Sequence, residues 1–275
     1  MLKSRLCIAF FAFAVGCAPA QKPLTDYVNP MLGTATLWDS VDLGFKPTKR
    51  TWGAEVFPGS SLPNAMVQVS PVTKFHSGAG YQYEDSVIYG FTHTNKGHWN
   101  LCHIPLLPVT GTPTPGDYCS PFSHERESAA PGYYQVFLDR YGVDAQLSST
   151  LRCAFHKYTY PAGAAASLLA DLQRSNEHVR AWDIRKEGDN VFAGWQQTGE
   201  KMYFYAVANR PVTGIEPVVE GDREVRIVRF GEGDGALELR IGFSFVSEKN
   251  ARENLEAEML GKSFAEVRSE ATATW

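Results

Sequence analysis

Little in this sequence suits a nucleic-acid partner, a membrane span or a metal finger. The 275 residues carry 26 Lys and Arg against 30 Asp and Glu, a net charge of −4. Without a basic excess there is no footprint for a phosphate backbone, and no nucleic-acid partner is expected. The five cysteines include no C-x-x-C pair, so the usual zinc spacing is missing and no metal ligands are assigned. Cys102, Cys119 and Cys153 are an odd set beyond the leader, which permits at most one internal disulfide among them. No G-x-S-x-G, Walker loop or H-E-x-x-H occurs, and with these absences go the commonest hydrolase, nucleotide and zinc-protease signatures. Alternation of strand and helix patterns is also missing, and a parallel α/β sheet is thereby excluded.

What is present begins with a leader. Lys3 and Arg5 precede an apolar run over 6–15, too short to span a bilayer and suited to the core of a signal peptide. Two exits are open. Ala18-Pro19-Ala20 is a small-x-small cleavage site, placing the signal at 1–20. Ala14-Val15-Gly16-Cys17 resembles a bacterial lipobox, which would make Cys17 a lipidated, membrane-anchored N-terminus. Either exit implies export, to the periplasm or to the bacterial surface as a lipoprotein.

From residue 24 to 246 the pattern is that of strands. A first strand is expected over 24–30, ended by Pro30, and alternation marks 65–70 and 86–91. The run at 104–109 is bounded by Pro105 and Pro108, which points to an edge or a strand end. Strands then recur at 133–138, 143–150, 153–160, 166–172 and 179–184, at spacings of about 8–12 residues typical of all-β sandwiches. Further strands follow at 191–195, 201–208, 225–230 and 237–245, the last two joined by a glycine-rich hairpin at 231–235. The fold class is therefore all-β, a large antiparallel sandwich.

At 247–275 the period changes. Ala251, Leu255 and Met259 share one helical face before Gly261. Ser263 and Glu266 have the spacing of a capping box. Phe264, Val267, Ala271 and Trp275 then form a second apolar stripe, which reaches the last residue uncapped. Such a short helix needs an apolar partner surface, and a continuation of the chain is expected.

The chemistry-bearing residues concentrate between Gly53 and Gly111. His76, His93, His98 and His103 lie there with Tyr81, Tyr83, Tyr89 and Trp99. Histidines five apart fit neither the helical nor the strand spacing of a ligand pair, so sugar contacts or structural roles are expected of them. Trp99 stands between His98 and Asn100 in a polar loop, where an indole face could stack on a pyranose while His and Asn serve its hydroxyls. Glu55, Glu84, Asp85 and Asp117 are the nearest carboxylates, and none stands out as a catalyst.

Several motifs resemble glycoside hydrolase family 92. They are Tyr27-Val28-Asn29-Pro30-Met31-Leu32-Gly33-Thr34, Phe57-Pro58-Gly59, Met66-Val67-Gln68-Val69-Ser70-Pro71 and Ile88-Tyr89-Gly90-Phe91-Thr92-His93-Thr94. Phe155-His156-Lys157-Tyr158-Thr159-Tyr160-Pro161 and Ile241-Gly242-Phe243-Ser244-Phe245-Val246-Ser247 continue the match in order. The resemblance implies the N-terminal domain, a galactose mutarotase-like supersandwich, of a calcium-dependent, inverting exo-α-mannosidase acting on N-glycans or mannan. It also implies linker helices at 247–275 and an (α/α)6 barrel beyond this chain, holding the acid and base carboxylates and most Ca2+ ligands. No catalytic residue is then expected here. Tyr81, His93, Asn95, His98, Trp99 and Phe75 are the implied substrate contacts, with mannose-containing glycans as partners. Where many α-1,2-specific members carry Trp-Asp-Gly-Cys, this chain has Phe75-His76-Ser77-Gly78-Ala79. Where many have His-Thr-His-Leu-Ser-Gly, it has His93-Thr94-Asn95-Lys96-Gly97-His98. Linkage specificity stays open. The rival reading is a stand-alone glycan-binding module or surface glycan-binding lipoprotein.

Overall fold

The computed structural model describes residues 22–36, 44, 56–96, 99–233 and 235–275. The leader, Cys17 and His98 lie outside them. Two antiparallel sheets face each other. The first has seven strands, edge to edge Ser60–Ser61, Gln68–Val72, Gly90–Thr92, Leu106–Val109, Ser167–Ala170, Arg223–Phe230 and Val212–Glu220. The second has eight, Ala181–Gly188, Val191–Gln197, Lys201–Ala208, Leu237–Ser244, Cys153–Thr159, Val143–Ser149, Tyr133–Leu138 and Glu127–Ala130. Two short ribbons stand apart, Val87–Ile88 with Ser120–Pro121 and Asn95–Lys96 with Trp99–Asn100.

Side-chain alternation builds the core. Along Lys201–Ala208 the residues Met202, Phe204, Ala206 and Ala208 turn inward, while their neighbours stay half-exposed. Phe192 meets Phe204 and Phe230 edge to face at 6.2 and 6.4 Å, closing the space between the sheets. Cys153–Thr159 breaks the alternation and is buried on both faces, because two helices cover the outside of its sheet.

These are α1, Glu248–Glu258, and α2, Phe264–Thr274. Leu255, Met259, Phe264 and Val267 pack on Tyr133, Cys153 and Phe155. At Gly242 a Cβ would lie 2.1 Å from the Ala251 carbonyl oxygen, so this bare backbone lets α1 rest directly on the sheet. The capping box forms as its spacing requires: the Ser263 Oγ accepts from the Glu266 amide, and the Glu266 carboxylate accepts from the Ser263 amide at 2.8 Å. Cys102, Cys119 and Cys153 are free thiols.

Three expectations about strands are corrected. Leu24–Tyr27 is a single 3-10 turn, started by Pro23 at φ −52° whose carbonyl accepts from the Asp26 amide. Leu106–Val109 lies inside its sheet, with Pro108 opposite Leu168. The Asp171 amide bonds the Pro105 carbonyl, so by the two-residue period Pro108 points to the other flank, where pairing is confined to Phe91 and Leu106. Its missing N–H leaves no orphan there. Residues 231–235 are no hairpin either. Arg223–Phe230 already has a neighbour on each side, so the chain crosses to the opposite sheet to form Leu237–Ser244. The hairpin partner is instead the unexpected strand Val212–Glu220, joined through Gly221 and Asp222. Its Pro217 suits an edge.

Candidate functional site

Three segments far apart in sequence meet at one end of the sandwich. The first is the turn after Gln68–Val72, in which the Thr73 and Lys74 amides bond the Gly80 carbonyl. Gly80 sits at φ +78°, and a Cβ there would approach the Asn100 amide nitrogen to 2.8 Å. The second runs from Trp99 through Ile104. The third is the stretch from Leu172 to Trp182.

Three buried amide side chains tie these segments together. Asn100 donates to the Ala79 carbonyl at 3.1 Å and accepts from the Cys102 amide at 2.7 Å. Asn176 accepts from the His76 amide at 2.6 Å and donates to the Asn100 carbonyl at 2.5 Å. Gln196 accepts from the Ile104 amide at 2.8 Å and donates to the Leu172 and Arg174 carbonyls, both at 2.9 Å. Each amide uses donor and acceptor ends on different segments, which fixes their mutual placement.

Between the first and third segments lies an open hollow of about 770 Å³, lined by Phe75, His76, Arg174, Glu177, Trp182 and Arg223 among others. Arg174 stacks over Phe75 at 4.6 Å and Tyr89 at 5.1 Å, and its Nη1 donates to the Tyr118 hydroxyl. Beneath it the fully buried Asp171 accepts from Tyr118 at 2.7 Å and Arg223 at 2.6 Å. Burial pushes the Asp171 carboxyl above its ordinary range, against the pull of Tyr118 and the two arginines. Phe75 and Trp182 give the hollow apolar faces, and Glu177, Arg180 and His178 give it polar ones.

The sequence-based contacts separate on this frame. Phe75 lines the hollow. Asn95 and Trp99 stand on the adjoining ribbon, partly exposed and outside that lining, and the Asn95 Oδ1 is buried without a hydrogen-bond partner among the described residues. Tyr81 and His93, by contrast, are both wholly buried in this chain. The Tyr81 hydroxyl is spent on Glu127 at 2.9 Å. His93 hydrogen-bonds His156 through their Nε2 atoms at 3.0 Å, and burial lowers its pKa to about 3. Pattern reading assigned no site residue to the third segment, although Gln173-Arg174-Ser175-Asn176-Glu177-His178 is a polar run soon after a buried strand.

Solved structures of the same arrangement place this sandwich among the N-terminal parts of glycoside hydrolases. The family GH92 alpha-mannosidase BT3965 from Bacteroides thetaiotaomicron superposes with a TM-score of 0.80 at 26% identity, over 93% of this chain and 38% of that one. Its complex with mannoimidazole gives 0.79 at 26%, over 92% and 36%. The GH92 inverting mannosidase BT2199 from the same organism shares the fold at a TM-score of 0.76 and 22% identity, over 93% and 36%. No curated protein matches. Residues 27–252 match the glycosyl hydrolase family 92 N-terminal domain, and the chain belongs to that family. It spans little more than a third of the length of these relatives.

Proposed function

We propose that this chain is the carbohydrate-contacting N-terminal domain of an exported, inverting exo-α-mannosidase acting on N-glycan or mannan α-mannosides. The family match over residues 27–252 carries this reading. The relative bound to mannoimidazole supports a mannose-shaped ligand. In such an enzyme one carboxylic acid protonates the leaving oxygen while a second carboxylate activates water on the opposite face of the sugar. Both would lie in an (α/α)6 barrel entered through α1 and α2, so this chain alone would be inactive. Ca2+ would hold mannose hydroxyls and help distort the ring. Among the described residues no group of three or more His, Cys, Asp or Glu is placed to hold a metal ion, and the ligands are assigned to the barrel. This chain would supply one wall of the site through Phe75, Asn95, His98 and Trp99. The leader would export the protein to the periplasm, or anchor it at the bacterial surface by a lipid on Cys17.

The second reading is a stand-alone glycan-binding module, which would use the same hollow lined by Phe75 and Trp182. Both readings put sugar contacts at the same end of the sandwich. Titrating the isotope-labelled chain with methyl α-mannopyranoside should shift amides at residues 75–77, 95–100 and 173–182. Shifts confined to the opposite end, near Pro161 and Gly231, would contradict that placement.

A further inference from the structure

His103 lies 3.7 Å from Glu177, a residue of the hollow's lining, with only 1% of its surface exposed. Its neighbours Cys102 and Ile104 have φ of +54° and +53°. A β-branched residue in the left-handed region is strained, and such strain persists only where the surroundings fix it. Here Asn100 and Gln196 do so, by accepting from the Cys102 and Ile104 amides.

The proton positions around His103 follow from elementary valence. A carboxylate only accepts, so the Thr198 hydroxyl, 2.6 Å from a Glu177 oxygen, must donate to it. Thr198 then accepts from the His103 Nε2–H at 3.0 Å. The His103 Nδ1 therefore carries the lone pair and accepts from the Thr94 hydroxyl at 2.9 Å. Burial lowers the His103 pKa to about 4 although Glu177 pulls it upward, so near neutral pH the ring stays in this single tautomer. The relay ends on Glu177, whose side chain is 40% exposed at the rim of the hollow.

We propose that Glu177 is a sugar-binding carboxylate, accepting hydroxyl protons from a pyranose seated against Phe75 and Trp182, and that Thr198 and His103 are its positioning residues. This rests on the mannoside reading above and assigns its polar anchor. With Arg174, Arg180 and Arg223 on the same lining, the hollow offers both hydrogen-bond donors and an acceptor, the set that the hydroxyls of a polyol require. Arg180, whose side chain makes no hydrogen bond or ion pair among the described residues, is placed to donate to the same ring.

The test uses methyl α-mannopyranoside with the 275-residue chain. Thr198→Val keeps the shape but cuts the relay, Thr198→Ser restores the hydroxyl, and Glu177→Gln removes the charge at a site too exposed to endanger folding. Thr198→Val and Glu177→Gln should each weaken binding about tenfold, and Thr198→Ser should stay close to wild type. Imidazole 15N shifts should report the Nε2–H tautomer of His103 in wild type and Thr198→Ser, with a mixture in Thr198→Val. Equal binding by wild type and Thr198→Val, or failure of wild type to bind at high millimolar sugar, overturns the proposal. Neither failure touches the mannosidase reading, which hydrolysis tests separately.

Discussion

Acidification from pH 7 to pH 4 is expected to unfold this domain. In an unfolded chain an imidazole takes up its proton near pH 6.5. In the fold, burial holds His93 neutral down to about pH 3 and His103 to about pH 4, and it pushes His156 well below its ordinary value. Between these limits the unfolded state binds more protons than the native one, so stability falls as pH falls. The hydrogen bonds enforce the neutral forms. The His93 Nδ1–H can only donate to the His103 carbonyl, so its Nε2 accepts from His156, whose Nδ1 accepts from the Tyr158 hydroxyl. A proton added to the His93 Nε2 would set two N–H groups against each other, and one added to the His156 Nδ1 would force the Tyr158 hydroxyl to turn from donor to acceptor. Three such groups give a slope approaching about 4 kcal/mol per pH unit, against a typical domain stability of about 5–15 kcal/mol. Urea midpoints followed by circular dichroism should drop steeply between pH 6 and pH 4. His93→Gln keeps both hydrogen bonds without a titrating ring and should reduce the slope by about one third. A midpoint constant from pH 7 to pH 4.5 would show that these imidazoles are not held neutral.

Glu127→Ala is the single substitution expected to damage the fold most. The Glu127 side chain is 2% exposed and receives four hydrogen bonds. The Tyr81 hydroxyl spans both its oxygens at 3.0 and 2.9 Å, the Tyr134 hydroxyl bonds one at 2.5 Å, and the His124 Nδ1 bonds the other at 2.6 Å. The second nitrogen of His124 faces the Tyr83 carbonyl at 2.7 Å while its ring stacks on Tyr83 at 3.9 Å. This carboxylate therefore joins an edge strand, a core strand and the turn at Tyr83. Alanine would strand two buried hydroxyls and leave the His124 Nδ1 without its carboxylate partner. Removing one partner of a buried pair costs about 3–5 kcal/mol, and in a domain this size a lowering of Tm by roughly 10 °C follows. A measured loss below about 1 kcal/mol would mean that the cluster contributes little.

The same cluster shows what the sequence could and could not reveal. The β class, most strands and the cap at Ser263 follow from periods of two and 3.6 residues, which neighbours along the chain record. Tyr81 and His93 look like ligand contacts because they sit among glycines and polar residues. Their partners Glu127 and His156 are 46 and 63 residues away, outside any local window. The hollow was hidden for the same reason, since its two sides are tied by the His76–Asn176 bond across 100 residues. At 231–235 the glycines do mark a sharp connection. Only the occupied flanks of Arg223–Phe230 show that it changes sheets.

Mannose release from α-mannobiose is the most direct test that this chain is one wall of a mannosidase site. The purified 275-residue chain should release none, and the same chain joined to the catalytic domain of a family 92 relative should release mannose first as the β-anomer. Release by the chain alone would place the acid and base among its own carboxylates and contradict the assignment of catalysis to a second domain.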